Sequence, residues 1–178
     1  MSVARTWGTT TAERARAYPC DALIAAGDDL FRGVDVAAPA GIVYRRLCHL
    51  RVAPYSYDWI DNGGRRSPAE LVDGVDQLTT GDRLMIFTLV SFRRDEHLTL
   101  RVTAPRARRA FGDIAVTYAI VPTSANTCRL LAKLRVAQQR GPVGRLRTTL
   151  LASGDLVMMR KQLLTLARLA ERDWRSAG

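Results

Sequence analysis

Apolar and polar residues alternate along several stretches of this chain, which is the pattern of β-strands with one buried face. The strands that this pattern predicts are residues 30–36, 72–79, 83–92, 97–102, 111–121 and 128–136. Residues 83–92 are almost continuously apolar, which predicts a strand that is covered on both faces. Short polar connections join the later strands, so we expect consecutive antiparallel hairpins that form a meander.

Two stretches have apolar residues at helical spacing instead. Pro39 suits the start of a helix, and the residues after it predict a helix over 40–50. After a loop at 141–144, a long helix is predicted to run to about Trp174. Its apolar stripe comprises Leu156, Met159, Leu163, Leu166 and Ala170. Only this helix is long enough to cover the meander, so the predicted class is α+β, a curved antiparallel sheet wrapped around one C-terminal helix.

Residues 54–64 allow two interpretations. A proline and a glycine suit the ends of a short helix, whereas the alternate aromatic residues Tyr55, Tyr57 and Trp59 also suit a strand. We favour the helix, which would be the second short helix after the first strand. Aromatic side chains with polar groups suit the wall of a pocket. They can equally pack the two helices onto the sheet, with Asp58 in water.

The length of 178 residues suits one domain. Residues 1–27 show no clear period and are predicted to form an arm, in part flexible, from which residues 18–21 dock on the body. Residues 28–175 are predicted to form the domain. The chain lacks both a long apolar span and the apolar core of a signal peptide, so a cytoplasmic location without a membrane span is expected. Three widely separated cysteines fit reduced thiols rather than disulfides.

The net charge of +10 comes almost entirely from arginine, because Lys133 and Lys161 are the only lysines. A GC-rich coding bias would explain both this and the abundant alanine. The alternative is an acidic partner, such as an anionic ligand, a nucleic acid or a membrane surface. The chain lacks a recognition-helix motif and the aromatic and basic strands of RNA-binding domains. No specific nucleic-acid partner is therefore predicted, and the basic loop at 105–109 is interpreted as solvated.

Motifs for metal binding and covalent catalysis are missing from the sequence. His49 and His97 are isolated, and no paired cysteine or histidine motif occurs, so no metal site is predicted. No nucleophile elbow or glycine-rich phosphate loop occurs, so no cofactor is predicted. Cys48 precedes His49 on the predicted helix, where neighbouring side chains point in different directions. We therefore interpret Cys48 as a core thiol.

The strand at 97–102 carries the candidate acid and base groups. His97, Thr99 and Arg101 share one face, and leucines occupy the other. If the polar face points inward, Arg101 would pair with an anion and His97 would exchange protons near neutral pH. If it points outward, it is the wet side of the sheet, which is the interpretation we favour.

The order of elements resembles the helix-grip fold of the START-like, or SRPBCC, superfamily over roughly residues 28–173. Three stretches carry the resemblance, namely 34–44, in which a strand runs through Ala-Pro-Ala into a helix, 78–82 and 154–163. Residues 55–62 together with 158–162 are similar to a bacterial branch called polyketide cyclase/dehydrase-like. The resemblance implies a fold and a cavity, and it carries no particular reaction.

We therefore predict a protein, monomeric or homodimeric, that binds a small hydrophobic or aromatic ligand between the sheet and the last helix. A cavity on the order of a few hundred Å³ is expected. The residues expected to line it are Tyr55, Tyr57, Trp59, Phe87, Leu89, Tyr118, Met159 and Leu163. The alternative is a cyclase or dehydratase that uses acid and base groups in the same cavity. Its candidate residues are Tyr57, Asp58, His97 and Arg101.

Overall fold

A computed structural model of the chain describes residues 3–53, 55, 70–84, 86–138 and 141–177, without the side chains at 110, 141–153 and 155. Within these ranges, six strands form one antiparallel sheet in the order β1-β6-β5-β4-β3-β2. The strands are β1 (Gly27–Val36), β2 (Arg83–Leu84), β3 (Phe87–Arg93), β4 (His97–Val102), β5 (Ile114–Pro122) and β6 (Cys128–Ala137). The described helices are α1 (Val3–Thr6), α2 (Thr11–Ala15), α3 (Ala40–Cys48), α4 (Pro105–Phe111) and α5 (Gly141–Ala177).

Strands β2 to β6 form the predicted meander, and β1 pairs with β6 at one edge. The strand pairing places the apolar members of successive strands in rows on one face, because directly paired residues point to the same side of a sheet. One such row crosses five strands and consists of Leu30, Leu134, Val116, Leu100 and Leu89. All five side chains are buried in the main core, and this face is the concave face of the sheet.

Helix α5 covers the concave face, as the apolar stripe in its sequence predicts. Met159, Leu163, Leu166 and Ala170 all belong to the core that contains the row of strand residues. Leu156 departs from the prediction, because it is half-buried and lies on the outer side of the helix. The meander wrapped around one long helix is the helix-grip architecture, so the predicted α+β fold class is confirmed.

An ion pair fastens the C-terminal part of α5 to α3. The guanidinium of Arg46 donates two hydrogen bonds to the carboxylate of Asp173, at 2.5 and 2.6 Å. Arg46 is 1% exposed, and a buried guanidinium needs such a two-pronged acceptor to offset the loss of water. The carboxylate of Glu171 also accepts a hydrogen bond from the backbone of Ala37, after the end of β1. The helix is therefore tied to the corner between β1 and α3.

The opposite, convex face of the sheet is covered by residues that precede β1. Tyr18, Cys20 and Ile24 form a second, smaller core with Phe31 and Ala115. A short 3-10 helix at Pro19–Ala22 brings Cys20 over the sheet, where its backbone N–H donates to the hydroxyl of Thr117 at 3.0 Å. Both faces of the sheet are thus buried, although by different kinds of contact.

The predicted strand at 72–79 is wrong, because these residues form turns. Gly74 has a φ of +71°, a value that glycine adopts without steric cost. The N–H groups of Val75 and Gln77 donate to carbonyls three residues earlier in the chain. These local hydrogen bonds occupy the backbone groups that a strand would offer to its neighbour.

The single strand predicted at 83–92 is also wrong, because the chain reverses between Leu84 and Phe87, which pair with each other. Its continuous apolar character reflects a hairpin rather than a strand covered on both faces, since Leu89 is the one fully buried residue of β3. The basic loop predicted at 105–109 is part of helix α4, which begins with a proline in its first turn.

Other predictions on secondary structure have simpler outcomes. The helix predicted at 40–50 is confirmed as α3 followed by a 3-10 turn at His49–Arg51. The alternatives for 54–64 lie outside the described residues, except for Tyr55. The three cysteines are free and buried, as predicted. In the part of the chain that is described, none of the helices has the length and apolarity that crossing a bilayer requires.

Candidate functional site

A hydrogen-bonded pair of polar side chains lies buried between the concave face and α5. The hydroxyl of Tyr118 donates to Oε1 of Gln162 at 2.6 Å, and it lies 3.6 Å from the sulfur of Met159. Tyr118 and Gln162 are each 4% exposed. Because a buried polar group without a partner costs about 1–3 kcal/mol, this bond holds both side chains in fixed orientations.

The strand pairing puts Tyr118 at the middle of the sheet beside a small residue. Ala132 is its neighbour on β6, and Leu98 is its neighbour on β4. Ala132 has a short side chain and is itself 1% exposed, so the layer is covered at this point. The same row continues to Arg32 on β1, which pairs with Ala132 from the other side.

Arg32 adds a buried cation to the same face of the sheet. It is 0% exposed, and its Nη1 donates to the carbonyl of Phe31 at 2.8 Å. Neither Arg32 nor Gln162 was predicted as a site residue from the sequence. The alternation of side chains along β1 could have indicated Arg32, because Leu30, Arg32 and Val34 must share one face of a strand. Gln162 lies within the helical register of the predicted core stripe, next to Leu163.

The structure brings together the predicted ligand-binding residues that it describes. Tyr55, Leu89, Tyr118, Met159 and Leu163 belong to the main core, and Phe87 packs against it. Tyr57 and Trp59 lie outside the described residues, as does the candidate catalytic residue Asp58. The concave layer is therefore apolar, apart from the few polar groups named above.

His49 joins two separate parts of the chain at the edge of this layer. Its Nε2 accepts a hydrogen bond from the N–H of Val72 at 2.9 Å, and its Nδ1 lies 2.7 Å from the hydroxyl of Tyr55. An accepting Nε2 carries no proton, so the neutral ring has its proton on Nδ1 and donates it to Tyr55. Burial, followed by the positive charge of Arg46, lowers the pKa of His49 and favours this neutral form.

The polar face of β4 lies on the convex side of the sheet, as favoured, but the prediction that it is the wet side is wrong, because residues that precede β1 cover it. Thr99 is buried and shares a 2.9 Å hydrogen bond with Thr117, the residue that also holds Cys20. Arg101 donates to both oxygens of Asp113, and this hydrogen bonding holds the pKa of Asp113 below its usual value. His97 lies on the same side, where burial lowers its pKa. Neither His97 nor Arg101 faces the layer that contains Tyr118.

A second polar cluster lies on the convex face, around Lys133. Its Nζ forms ion pairs with Asp21 at 2.5 Å and Asp29 at 3.3 Å. The same ammonium lies 5.4 Å from the ring centre of Tyr18 and 5.2 Å from that of Phe31. Both carboxylates and one of the rings belong to residues 18–29, so the cluster fixes the N-terminal residues rather than forming an open site.

Among the residues that the structure describes, no three side chains of His, Cys, Asp or Glu lie together in a way that could hold a metal ion. Arg160 on α5 is exposed. Its guanidinium lies over the ring of Trp7, at 5.4 Å from the ring centre.

No protein-family model and no curated protein matches the chain. Solved structures do match it at low identity. A norcoclaurine synthase from Thalictrum flavum, in complex with dopamine and hydroxybenzaldehyde, is 12% identical, with 89% of this chain and 94% of that chain covered and a TM-score of 0.47. The Zhui aromatase/cyclase from Streptomyces sp. R1128 is 16% identical, with 84% and 97% covered and a TM-score of 0.44. A protein from Nitrosomonas europaea is 16% identical, with 88% and 99% covered and a TM-score of 0.49.

Structural similarity at such low sequence identity does not show that two proteins share an activity. The assignment of the fold rests on the chain itself, on a meander of antiparallel strands whose concave face is filled by one long C-terminal helix. By this architecture, the chain has the helix-grip fold, which is the fold of the START-like superfamily that its sequence resembles.

Proposed function

We propose that the protein binds a small hydrophobic or aromatic molecule between the concave face of the sheet and α5. The observation that carries the proposal is the buried hydrogen bond between Tyr118 and Gln162 within an otherwise apolar layer. Ligand sites in proteins combine a mostly apolar lining with a few polar groups that fix orientation. A purely structural core has no comparable need for a hydroxyl and an amide at its centre.

The two polar groups define what the ligand must offer. The hydroxyl of Tyr118 can donate to a carbonyl or hydroxyl oxygen, and the amide of Gln162 can both donate and accept. A ligand with one oxygen at the end of an apolar body would share these groups. The rest of its surface would contact side chains such as Leu163 and Val116, which gains about 25 cal/mol for each Å² of apolar surface removed from water.

Two neighbours of the pair can make room for such a ligand. Met159 touches the hydroxyl of Tyr118 through its sulfur, and methionine changes its conformation at low cost. Ala132, which is paired with Tyr118, has a short side chain, so we expect it to provide a recess beside the tyrosine ring once Met159 moves. The proposed ligand is therefore a compact aromatic or alicyclic molecule with a single hydroxyl or carbonyl group.

The test measures how tightly naphthol binds the folded protein, by its competition with the fluorescent dye anilinonaphthalene sulfonate. Ala132→Leu fills the recess and should weaken naphthol binding by at least about tenfold, which corresponds to about 1.4 kcal/mol. Ala119→Leu is the matched control, because Ala119 lies on the same sheet but packs against the convex core. Tyr118→Phe should weaken naphthol about fivefold through the loss of one hydrogen bond, and should leave dye binding nearly unchanged.

The thermal midpoint of each variant is measured first, so that a loss of binding is not mistaken for unfolding. Equal effects of Ala132→Leu and Ala119→Leu would show that the concave layer holds no ligand. If Tyr118→Phe binds naphthol as tightly as the unchanged protein, the polar pair has no part in recognition.

A further inference from the structure

The outer face of α5, which points away from the sheet, carries an open groove of about 700 Å³. The groove is lined by Leu156, Val157, Arg160, Lys161, Leu164, Thr165 and Arg168. These positions recur three or four residues apart and follow one side of the helix for about 18 Å, at 1.5 Å per residue. The residues that pack on the sheet, such as Leu163 and Leu166, belong to the opposite side.

The floor of this outer groove is apolar and exposed. Val157 is 53% exposed and Leu164 is 42% exposed, and they are among the most exposed large apolar residues of the described chain. Leu156, which precedes Val157, adds a half-buried side chain to the lining. Single exposed apolar residues are common on protein surfaces, but several that line one groove are typical of an interaction site.

The rim of the outer groove is positively charged. Arg160, Lys161 and Arg168 are all exposed, and none of the lining residues that the structure describes is acidic. The Trp7 ring lies against the guanidinium of Arg160 and restricts its position at one edge of the groove.

The charge selects the kind of molecule that can occupy the groove. A second copy of this chain, docked through the same face, would bring the cations of both copies together, which costs free energy. A flat bilayer would contact the exposed rim but could not fill a concave space. A rod with an apolar stripe and acidic flanks would match both the floor and the rim, and an amphipathic helix has this shape.

We infer that the outer groove is a docking site for an acidic amphipathic helix of a partner protein. Apolar residues of the partner, spaced three or four apart, lie between Val157 and Leu164, and its carboxylates face Arg160 and Arg168. Two packed helices have axes about 8–10 Å apart, which places the side chains of both in direct contact. The site is separate from the concave layer, because it lies on the other side of α5.

The test measures the fluorescence anisotropy of two labelled peptides of about four helical turns each. Both have the same leucines and glutamates, but only one has its leucines on a single helical face. We expect that peptide to bind the full-length protein at least about tenfold more tightly than the scrambled one. Leu164→Asp should remove this difference. Ile86→Asp is the matched control, because Ile86 is also 42% exposed and lies in the turn between β2 and β3, outside the groove.

Circular dichroism and the thermal midpoint establish that both variants stay folded, as expected for substitutions at exposed positions. Equal binding of the two peptides, or equal losses in the two variants, would reduce the effect to general charge attraction and overturn the inference. Sedimentation with vesicles of phosphatidylglycerol and phosphatidylcholine supplies the remaining outcome. If Leu164→Asp abolishes vesicle binding but not peptide binding, the groove recognises a lipid surface, and the inference is wrong.

Discussion

The two faces of the sheet are both covered, but by different physical means. The concave face meets α5 through apolar side chains, with one central hydrogen bond between Tyr118 and Gln162. The convex face meets the N-terminal residues through a small apolar core and through several ion pairs, for example where Arg129 donates to the carboxylate of Glu13 at 2.7 Å. Apolar packing is nondirectional and tolerates a ligand of suitable shape, whereas ion pairs need fixed partners. The concave face is therefore suited to binding, and the convex face to holding a segment of the chain.

The acidic groups on the convex side show the effect of these ion pairs. Partial burial opposes the ionisation of Glu13, but hydrogen bonds, first that from Arg129, outweigh it and lower the pKa of the carboxyl. The same balance, with Lys133 as the donor, lowers the pKa of Asp21. A carboxyl group whose pKa is lowered in the folded protein stabilises the fold at any pH above its ordinary pKa. This stabilisation is lost as the pH falls through the lowered pKa. Strong acid should therefore loosen the attachment of the N-terminal residues to the convex face.

The largest effect is expected on the concave side, from Leu163→Ala. Leu163 is 0% exposed, and deletion of a buried leucine side chain leaves a cavity, which should lower the free energy of unfolding by about 3 kcal/mol. Urea denaturation measures the change. Leu164→Ala, one residue further along the same helix, is the control, because Leu164 is exposed and its truncation should cost below about 1 kcal/mol. Similar losses in both variants would mean that α5 does not cover the sheet as described.

A smaller effect is expected on the convex side, from Lys133→Met. Methionine keeps the apolar contact with Tyr18 and Phe31 but removes the ammonium between Asp21 and Asp29, which are then paired through Arg135 alone. Because the two carboxylates are about one-third exposed, we expect a loss of about 2 kcal/mol, less than for a fully buried pair. The N-terminal residues should also detach, which would expose the buried thiol of Cys20.

The reaction of Cys20 with a thiol-reactive disulfide reagent measures this detachment. The test uses a background in which the two other cysteines are replaced by serine. Lys161→Met is the matched control, since Lys161 is the only other lysine and is exposed on α5. If Cys20 stays unreactive in the Lys133→Met protein, the charges do not hold the segment, and the contrast between the two faces is smaller than proposed.

The smallest effect concerns the pH dependence of His49. Because the pKa of His49 is lowered in the folded protein, its contribution to the free energy of unfolding is fully present above pH 6.5, its ordinary pKa. This contribution is lost as the pH falls towards the lowered pKa. Protonation places a hydrogen on Nε2, which can then no longer accept from Val72, and the loss of this bond should cost about 1 kcal/mol. Arg45 and Arg46 oppose the added charge, and Asp173 partly offsets it. Urea denaturation between about pH 5 and pH 7 measures the slope.

His97 contributes to this slope in the same direction, because burial lowers its pKa as well. The comparison is therefore made in a His97→Gln variant, in which the remaining dependence belongs to His49. A stability that no longer changes with pH in this variant would show that His49 does not connect Tyr55 and Val72 as described.

Most strands of the concave face could be predicted because their sequence period matches their environment. Residues 128–136 alternate apart from Leu131, and β6 buries the predicted members of that stretch on the concave side. The prediction failed at 83–92, where an apolar stretch contains a reversal. A hairpin with apolar residues throughout has no period to distinguish it from one longer strand, and its turn is set by pairing between Leu84 and Phe87.

The candidate site was only partly predictable, for a similar reason. Tyr118, Met159 and Leu163 followed from the strand and helix periods, which place them on the covered faces. Gln162 did not, because a polar residue beside a core stripe is usually solvated. It is buried here because the sheet presents a tyrosine hydroxyl at hydrogen-bond distance, which is a relation between residues 44 positions apart.

The sequence by itself determined the fold class, the covered face of β1, β5 and β6 and most of the apolar stripe of the last helix. These are properties of local period, which each segment expresses on its own. The tertiary structure decided which polar groups meet. It joined Tyr118 to Gln162, Lys133 to Asp21 and His49 to both Tyr55 and Val72. Such pairings depend on how the sheet curves and which segment covers each face, and no local pattern of residues encodes them.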